Sequence, residues 1–396
     1  MTRTLVAAPG GVGAFVRYFL YLGSLGFGGP VALAAFMHRD LVEQRRWVSE
    51  EEYGLAMALA QIMPGPLAAQ LAIALGYFRH GVAGATAVGL AFVVPSFVMV
   101  VVISIAYVRF GGLWWMQALF YGIGAAVVAI IAIAAYKLSR STNRRDPLLW
   151  AVFGALGVIT VWARAELAEF FVAAGMVVLF ARAWPGWRYA LRATLGGVVV
   201  VGAIWLIERW FLGLGIGGTH VLVQLVLFFS KAGSFVFGSG LAIVPFLHQG
   251  VVQQFGWLSE QQFLDAVAVA MITPGPVVIT VVFIGFLVAG VFGAIAAAIG
   301  IFFPVYVFTV IPAPWFSRNR DNAQLKAFVQ GATAAATGAL SGAVVVIALR
   351  AISDVPTSLI ALGSFALLWR YKVPEPIIVG VAAVVGLVVW PLLNAG

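Results

Sequence analysis

Trp47-Val-Ser-Glu-Glu-Glu-Tyr53 runs through an apolar stretch to Gln61-Ile-Met-Pro-Gly-Pro66, and Trp257-Leu-Ser-Glu-Gln-Gln-Phe263 runs likewise to Met271-Ile-Thr-Pro-Gly-Pro276. The offset is 210 residues at both ends, from Trp47 to Trp257 and from Pro66 to Pro276. An unbroken register of this kind marks an internal duplication. Each copy predicts two short helices meeting at a break. Ser49 with Glu52, and Ser259 with Gln262, have the spacing of a capping box, which satisfies two free N–H groups where a helix begins. Pro64 and Pro274 end that helix, because proline lacks an N–H and disfavours helical geometry in the residue before it. Gly65 and Gly275 permit the turn, and Pro66 and Pro276 suit the first position of the next helix.

The surrounding composition says where such a break sits. Of the 396 residues 63% are hydrophobic and 9% charged, with a mean hydropathy of +1.06. Runs such as Gly81 to Val108 and Trp114 to Tyr136 are long enough to cross a bilayer, which takes roughly 20 residues. The chain therefore reads as an all-α polytopic membrane protein. In lipid, a broken helix is tolerated only where its freed backbone is buried in protein or lines a cavity, so the Pro-Gly-Pro pair is the first place to look for a ligand. The absence of cysteine excludes disulfides, thiolate metal sites and thiol nucleophiles. The formal charge of +9 is scattered among short loops, as topology signals are, and does not call for nucleic acid. No cleavable signal peptide is evident in the sequence; Arg3 and Arg17 flank a Gly-rich start.

The duplication extends beyond the Pro-Gly-Pro copies. The first element, about Val12 to Met37, is interrupted by Gly26-Phe-Gly-Gly-Pro30, and its counterpart, about His220 to Leu247, carries Phe237-Gly-Ser-Gly240. Gly23-Ser24 matches Gly233-Ser234, and His38 matches His248. After one deletion, Pro95 matches Pro304, Gly122 matches Gly331 and Pro147 matches Pro356. The expected organisation is a first repeat over 1–190, with broken or re-entrant helices at 12–37 and 49–79 followed by four spans, a linking helix over 191–215, and a second repeat over 216–396.

Charge suggests that the copies face opposite ways. The loop from His38 to Trp47 carries Arg39, Arg45 and Arg46, whereas its partner from His248 to Trp257 has no Lys or Arg. The loop from Lys137 to Asp146 is strongly basic and its partner is not, while Arg318, Arg320 and Lys326 reverse the bias later in the chain. By the positive-inside rule the repeats are inverted, the pattern of many secondary transporters. Each arm of the Pro-Gly-Pro element spans about 20 Å, short of the ~30 Å hydrocarbon core, so that element returns to its starting side. Inversion across one linking helix requires the Gly-rich element to return as well. In the alternative the Gly-rich elements cross and the linking segment lies along the interface.

The Phe-Gly-Gly-Pro run at 27–30, the Met-His-Arg-Asp-Leu-Val-Glu-Gln-Arg-Arg-Trp run at 37–47, the two Pro-Gly-Pro motifs and Ser-Lys-Ala-Gly at 230–233 together resemble the chromate ion transporter family in its long two-domain form. The resemblance covers nearly the whole chain. It implies a protein of the bacterial-type inner membrane that moves chromate, and sulfate as a second substrate, with efflux energised by an ion gradient. Some members of that family place acidic residues just after the first Pro-Gly-Pro and just before the second. Here those positions hold Leu67 and Met271, so proton coupling through them is not carried over.

A tetrahedral dianion held near the membrane midplane needs a substitute for its hydration. Backbone N–H groups at helix N-termini supply it, aided by a dipole worth about half a charge. Four half-helices would begin after Gly28-Gly29, Gly65, Gly238 and Gly275, making a cage with Pro64, Pro66, Pro274 and Pro276 at the turns. Ser24, Gln61, Gln70, Ser234, Ser239, Thr273 and Thr280 are side-chain donors, and Lys231 adds a full charge within an apolar element. The plainer reading of each polar residue is a satisfied helix–helix hydrogen bond, and of Lys231 a side chain reaching for the interface. His38 and His248, at equivalent element ends, are weak candidates for a proton relay. The partners implied are a chromate- or sulfate-like dianion, membrane lipid, a coupled proton and a second copy of the chain. No catalytic residue, metal site, cofactor or nucleic-acid partner is expected, since no His-Glu-x-x-His or paired intramembrane Asp is present. A channel for anions would use the same cage.

Overall fold

The computed structural model describes residues 11–27, 30–110, 113–163, 168–184, 186, 195, 221–234, 243–319, 322–352, 354–371 and 373–394. Gly28, Gly29, Gly238, Ser239 and almost all of the expected linking helix lie outside these. The described residues are helical throughout their regular elements, and five stretches are long and apolar enough to cross a membrane: Leu67–Phe110, Trp114–Asn143, Val277–Arg318, Ala323–Leu349 and Glu375–Leu393. The protein is an all-α polytopic membrane protein.

The first half comprises α1 (Val12–Leu25), α2 (Pro30–His38) continued by a π-helical turn (Arg39–Gln44), α3 (Glu50–Ile62), α4 (Leu67–Phe110), α5 (Trp114–Asn143), α6 (Pro147–Ala163) and α7 (Ala168–Arg182). The second comprises α8 (Val221–Ser234), α9 (Val244–His248) with a π-helical turn (Gln249–Gln254), α10 (Glu260–Ile272), a 3-10 turn (Val277–Ile279), α11 (Thr280–Val310), α12 (Ala313–Asn319), α13 (Ala323–Ala351), α14 (Val355–Tyr371) and α15 (Glu375–Asn394). Both capping boxes form. Ser49 Oγ accepts from the Glu52 N–H at 3.1 Å while the Glu52 carboxylate accepts from the Ser49 N–H at 3.2 Å. Ser259 and Gln262 repeat the exchange at 3.2 and 2.9 Å.

The breaks fall where the prolines require. Met63 (ψ 143°) and Thr273 (ψ 133°) are extended, as residues preceding proline must be, and they end α3 and α10. One detail differs from the sequence reading. Pro66 and Pro276 sit at the cap, one residue before the first helical position: the Gln70 N–H donates to the Pro66 carbonyl at 3.0 Å, and Pro276 is extended at ψ 128°. The positive-φ glycine turns the chain, and one further extended residue follows before carbonyls align into a helix. In the second copy a 3-10 turn intervenes, so α11 begins only at Thr280.

Neither α4 nor α11 is a single rod. His80 (φ −135°) and Gly81 (φ 64°) interrupt α4, and Ala289 (φ −145°) and Gly290 (φ 62°) interrupt α11. The chain folds back there, because a Cβ on Gly84 would stand 2.4 Å from the Gly76 carbonyl oxygen, and one on Gly293 2.0 Å from that of Gly285. A straight helix would hold residues eight apart at about 12 Å. The arm from Leu67 to Arg79 is thus about 20 Å long, too short for a ~30 Å crossing.

The halves interlock. Within each, the first helix packs on the long helix beyond its fold-back, α1 on α4 where a Cβ on Gly23 would stand 2.4 Å from the Phe92 carbonyl oxygen and α8 on α11 where one on Gly233 would stand 2.5 Å from that of Ile301, and α4 packs on α11 between them. Further along, α5 packs on α14 and α15 of the other half, while α13 packs on α6 and α7, and α5 meets α13. Glycines set those distances: a Cβ on Gly122 would lie 2.0 Å from the Ala382 carbonyl oxygen, and one on Gly331 2.5 Å from that of Ala174. Close backbone approach is what small residues contribute where lipid removes the hydrophobic drive for helix association.

Candidate functional site

Among the described residues, interrupted elements of the two halves meet. The Gly275 N–H, in the second Pro-Gly-Pro loop, donates to the Gly26 carbonyl at the end of α1, at 3.0 Å. Ser96, one residue beyond Pro95 in α4, donates from Oγ to the Gly23 carbonyl at 3.2 Å. A Cβ on Gly275 would fall 2.0 Å from Ser96 Oγ, and Gly275 has φ +104°, so no other residue fits the loop without displacement. The Gly-rich break of one half, the Pro-Gly-Pro break of the other and the Pro95–Ser96 step of α4 therefore share one location. Ser96 was not a sequence candidate. Its signal was the adjacent intrahelical proline, and the equivalent position in the second half is the buried Val305.

The first Pro-Gly-Pro loop is closed differently. Gln70 is fully buried, its Nε2 donating to the Pro64 carbonyl at 2.8 Å, and its side chain covers Gly65 (φ +146°). Gln70 Oε1 is buried with no hydrogen-bond partner. The residues after each loop, from Leu67 to Gly76 and from Val278 to Gly285, are buried, so the new helix starts inside protein and not in lipid.

The hydroxyl candidates donate to their own backbones in this conformation: Ser24 to Leu20 at 2.7 Å, Ser234 to Ser230 at 2.8 Å, Thr273 to Val269 at 2.6 Å and Thr280 to Val277 at 2.9 Å. Such back-bonding is the usual way a helical hydroxyl is satisfied in an apolar setting. Gln61 is exposed. Lys231 is half-buried in the last turn of α8, where the helix dipole favours a cation. His38 and His248 take the same place in the two halves: each reaches the first residue of the following half-helix, His38 Nε2 to Glu50 at 3.0 Å and His248 Nε2 to Glu260 at 2.6 Å. The second pair is the more enclosed, with the His248 side chain 5% exposed against 28% for His38. These pairs tie the π-helical turns to the capped helices.

The chromate transporter family model matches residues 13–198 and 223–387. A chromate transport protein of Cupriavidus metallidurans is 54% identical over 383 residues, covering 96% of this chain and 93% of that one. A probable chromate transport protein of Synechococcus elongatus is 52% identical over 94% of each chain. A chromate transport protein of Pseudomonas aeruginosa is 28% identical over 94% of this chain and 91% of its own. No solved structure matches the chain.

Proposed function

Since the chain belongs to the chromate transporter family, we propose that it is a secondary active transporter that exports chromate across the cytoplasmic membrane, energised by a proton or other ion gradient. The anion is held by the N-termini of the half-helices that follow the Pro-Gly-Pro and Gly-rich breaks. Backbone N–H groups there replace the water a dianion gives up, and the dipole of each half-helix adds partial positive charge. The two halves work as inverted repeats, in keeping with the opposed loop charges, and their relative movement opens the site to either side in turn.

The observation that carries this reading is the bond between the Gly275 N–H and the Gly26 carbonyl, which brings interrupted elements of both halves to one point. An oxyanion entering there displaces the Gly26 carbonyl as acceptor for that amide. Such an exchange lets the donor stay satisfied with and without substrate, which an apolar setting demands. Lys231, in the last turn of α8, supplies long-range attraction to the same anion.

The test is radiolabelled chromate flux in proteoliposomes containing the purified protein, with sulfate as competitor. Saturable chromate flux that responds to an imposed counter-gradient is expected, and Lys231→Ala should reduce chromate affinity at least about tenfold, the loss of about 1.4 kcal/mol. Flux that never saturates would replace the transporter by a channel. Sulfate flux that outruns chromate flux would reassign the substrate.

A further inference from the structure

Asp265 is the most deeply buried carboxylate among the described residues, 2% exposed in the middle of the half-helix α10. Tyr107 Oη, on α4 of the other half, donates to Oδ2 at 2.7 Å, and Gln261 Nε2 donates to Oδ1 at 2.9 Å. Gln261 is held in turn against the Phe120 carbonyl of α5 at 3.5 Å, and the Tyr107 ring lies edge-on to Phe120 and Phe283 at 5.3 and 5.0 Å. Among the described residues no Lys, Arg or His is ion-paired with Asp265. The other titratable groups on the elements packed against α10 are engaged elsewhere or lie at element ends. Tyr121 on α5 donates to Asp354, Tyr306 on α11 bonds Thr86, Glu375 opens α15 near Lys137, and His248 bonds Glu260. On α13 they are Lys326 and Arg350, in its first and last turns; on α5, Tyr136 and Arg140 bond each other. On α4, Arg79 pairs with Glu52, His80 and Tyr77 lie near the fold-back, and Arg109 lies in the last turn.

The duplicated half shows what this contact looks like without the carboxyl. Leu55 stands where Asp265 does, and Phe316 of α12 stands where Tyr107 does. Leu55 packs against the core cluster that contains Phe316. The same joint is therefore built from apolar side chains in one half, so the architecture does not require an acid and a phenol in the other. A carboxylate buried with two neutral donors and no cation is expensive to keep charged, and within a membrane such a residue is a functional candidate by default.

We propose that Asp265 is the proton-exchanging carboxyl of the transport cycle and that Tyr107 is the positioning residue that makes its protonation depend on how the two halves sit. This rests on the transporter reading above and names the coupled ion as the proton. Facing one side, a carboxylate oxygen of Asp265 takes a proton from water and forms an O–H bond. Facing the other, that bond breaks and the proton returns to water. No other bond changes. With the Tyr107 bond made, the charged form is favoured; when α4 and α10 separate, that support is lost and the carboxyl takes up a proton.

The experiment uses the full-length protein in proteoliposomes, comparing wild type, D265N and Y107F in net radiolabelled chromate flux with and without a pH gradient, and in chromate–chromate tracer exchange. A gradient is expected to raise wild-type net flux about tenfold, within the usual range of coupling free energies. D265N should show net flux equal with and without the gradient, with tracer exchange still measurable. Y107F should move the pH midpoint of net flux upward, because removing a donor to the carboxylate disfavours its charged form. Gradient stimulation that survives in D265N overturns the proposal, and so does an unmoved midpoint in Y107F. Should D265N lose tracer exchange as well, the Y107F midpoint decides. Wild-type protein that moves no chromate under any gradient would instead sink the transporter reading itself.

Discussion

The amide of Gly275 and the carbonyl of Gly26 are hydrogen-bonded at 3.0 Å, across the boundary between the two halves of the chain. The contact is possible because residue 275 has no Cβ: one would fall 2.0 Å from Ser96 Oγ. Gly275→Ala is therefore expected to lose chromate flux. The substitution combines a clash with the cost of a left-handed backbone, roughly 1–2 kcal/mol for a non-glycine residue. Adding Ser96→Ala removes the Oγ contact but not the backbone strain, so the double variant should recover part of the thermal stability in detergent. A single variant with wild-type flux and stability would show that the loop does not pack as described.

The two His–Glu pairs hold equivalent positions in different settings. His248 and Glu260 meet at 2.6 Å with the imidazole nearly enclosed, whereas His38 reaches Glu50 at 3.0 Å beside a more open surface. Enclosed hydrogen bonds to charged groups contribute about 1.5–3 kcal/mol and exposed pairs about 0.2–1. Double-mutant cycles with Ala at each position should give a coupling energy at the His248 pair at least twice that at the His38 pair, read by unfolding in detergent. Equal couplings would mean that enclosure plays no part.

The local rules of the chain were legible in the sequence wherever one residue type has one backbone consequence. Ser49 and Ser259 cap, and Pro64 and Pro274 stop their helices. What remained hidden depended on partners distant in sequence. The π-helical turns at Arg39–Gln44 and Gln249–Gln254 are an exception: the Trp47 and Trp257 N–H groups close them on the nearby Leu41 and Val251 carbonyls, but no residue type marks such a turn. Asp265 is a single polar residue within an apolar run, and Tyr107, which gives it meaning, lies 158 residues away. Ser24, Ser234, Thr273 and Thr280 are typical of polar residues chosen by type: proximity to a break identified them, but type does not say whether a hydroxyl faces a ligand or its own helix.

Acid should loosen the joint between α5 and α14. Burial pulls the Asp354 carboxyl up, but hydrogen bonds from Thr357 and from the Tyr121 hydroxyl outweigh it and hold the group below the ordinary carboxylate range. A carboxyl lowered by folding adds stability that is present above its unfolded value, about 3.9, and is lost as pH falls through the folded value. Tyr121→Phe should thus destabilise the protein by about 1 kcal/mol at neutral pH. The difference from wild type should begin to narrow below pH ~4, where the unfolded chain's Asp354 takes up a proton, and close as pH falls through the lower folded value. A deficit as large at pH 3 as at pH 7 would show that the lost bond does not depend on the charge.

Glycines on neighbouring helices should respond in opposite directions to the same substitution. Gly122 on α5 lies so close to α15 that a Cβ would stand 2.0 Å from the Ala382 carbonyl oxygen and 2.9 Å from the Gly386 nitrogen, both backbone atoms that no rotamer change can move aside. Gly154 on α6 has nothing within 4 Å of its Cβ position. Gly122→Ala must push α15 away and, with it, the α10 packing that α15 shares. The expected cost is about 1–3 kcal/mol, the usual penalty for overpacking. Gly154→Ala adds a methyl group to open space in a helix interior, where alanine is preferred by roughly 0.5–1 kcal/mol. Thermal unfolding of the two variants in detergent should move apart from wild type, downward for Gly122→Ala and upward for Gly154→Ala. If Gly122→Ala unfolded no lower than wild type, the contact between α5 and α15 would not be the tight backbone approach that holds the second half-helix in place.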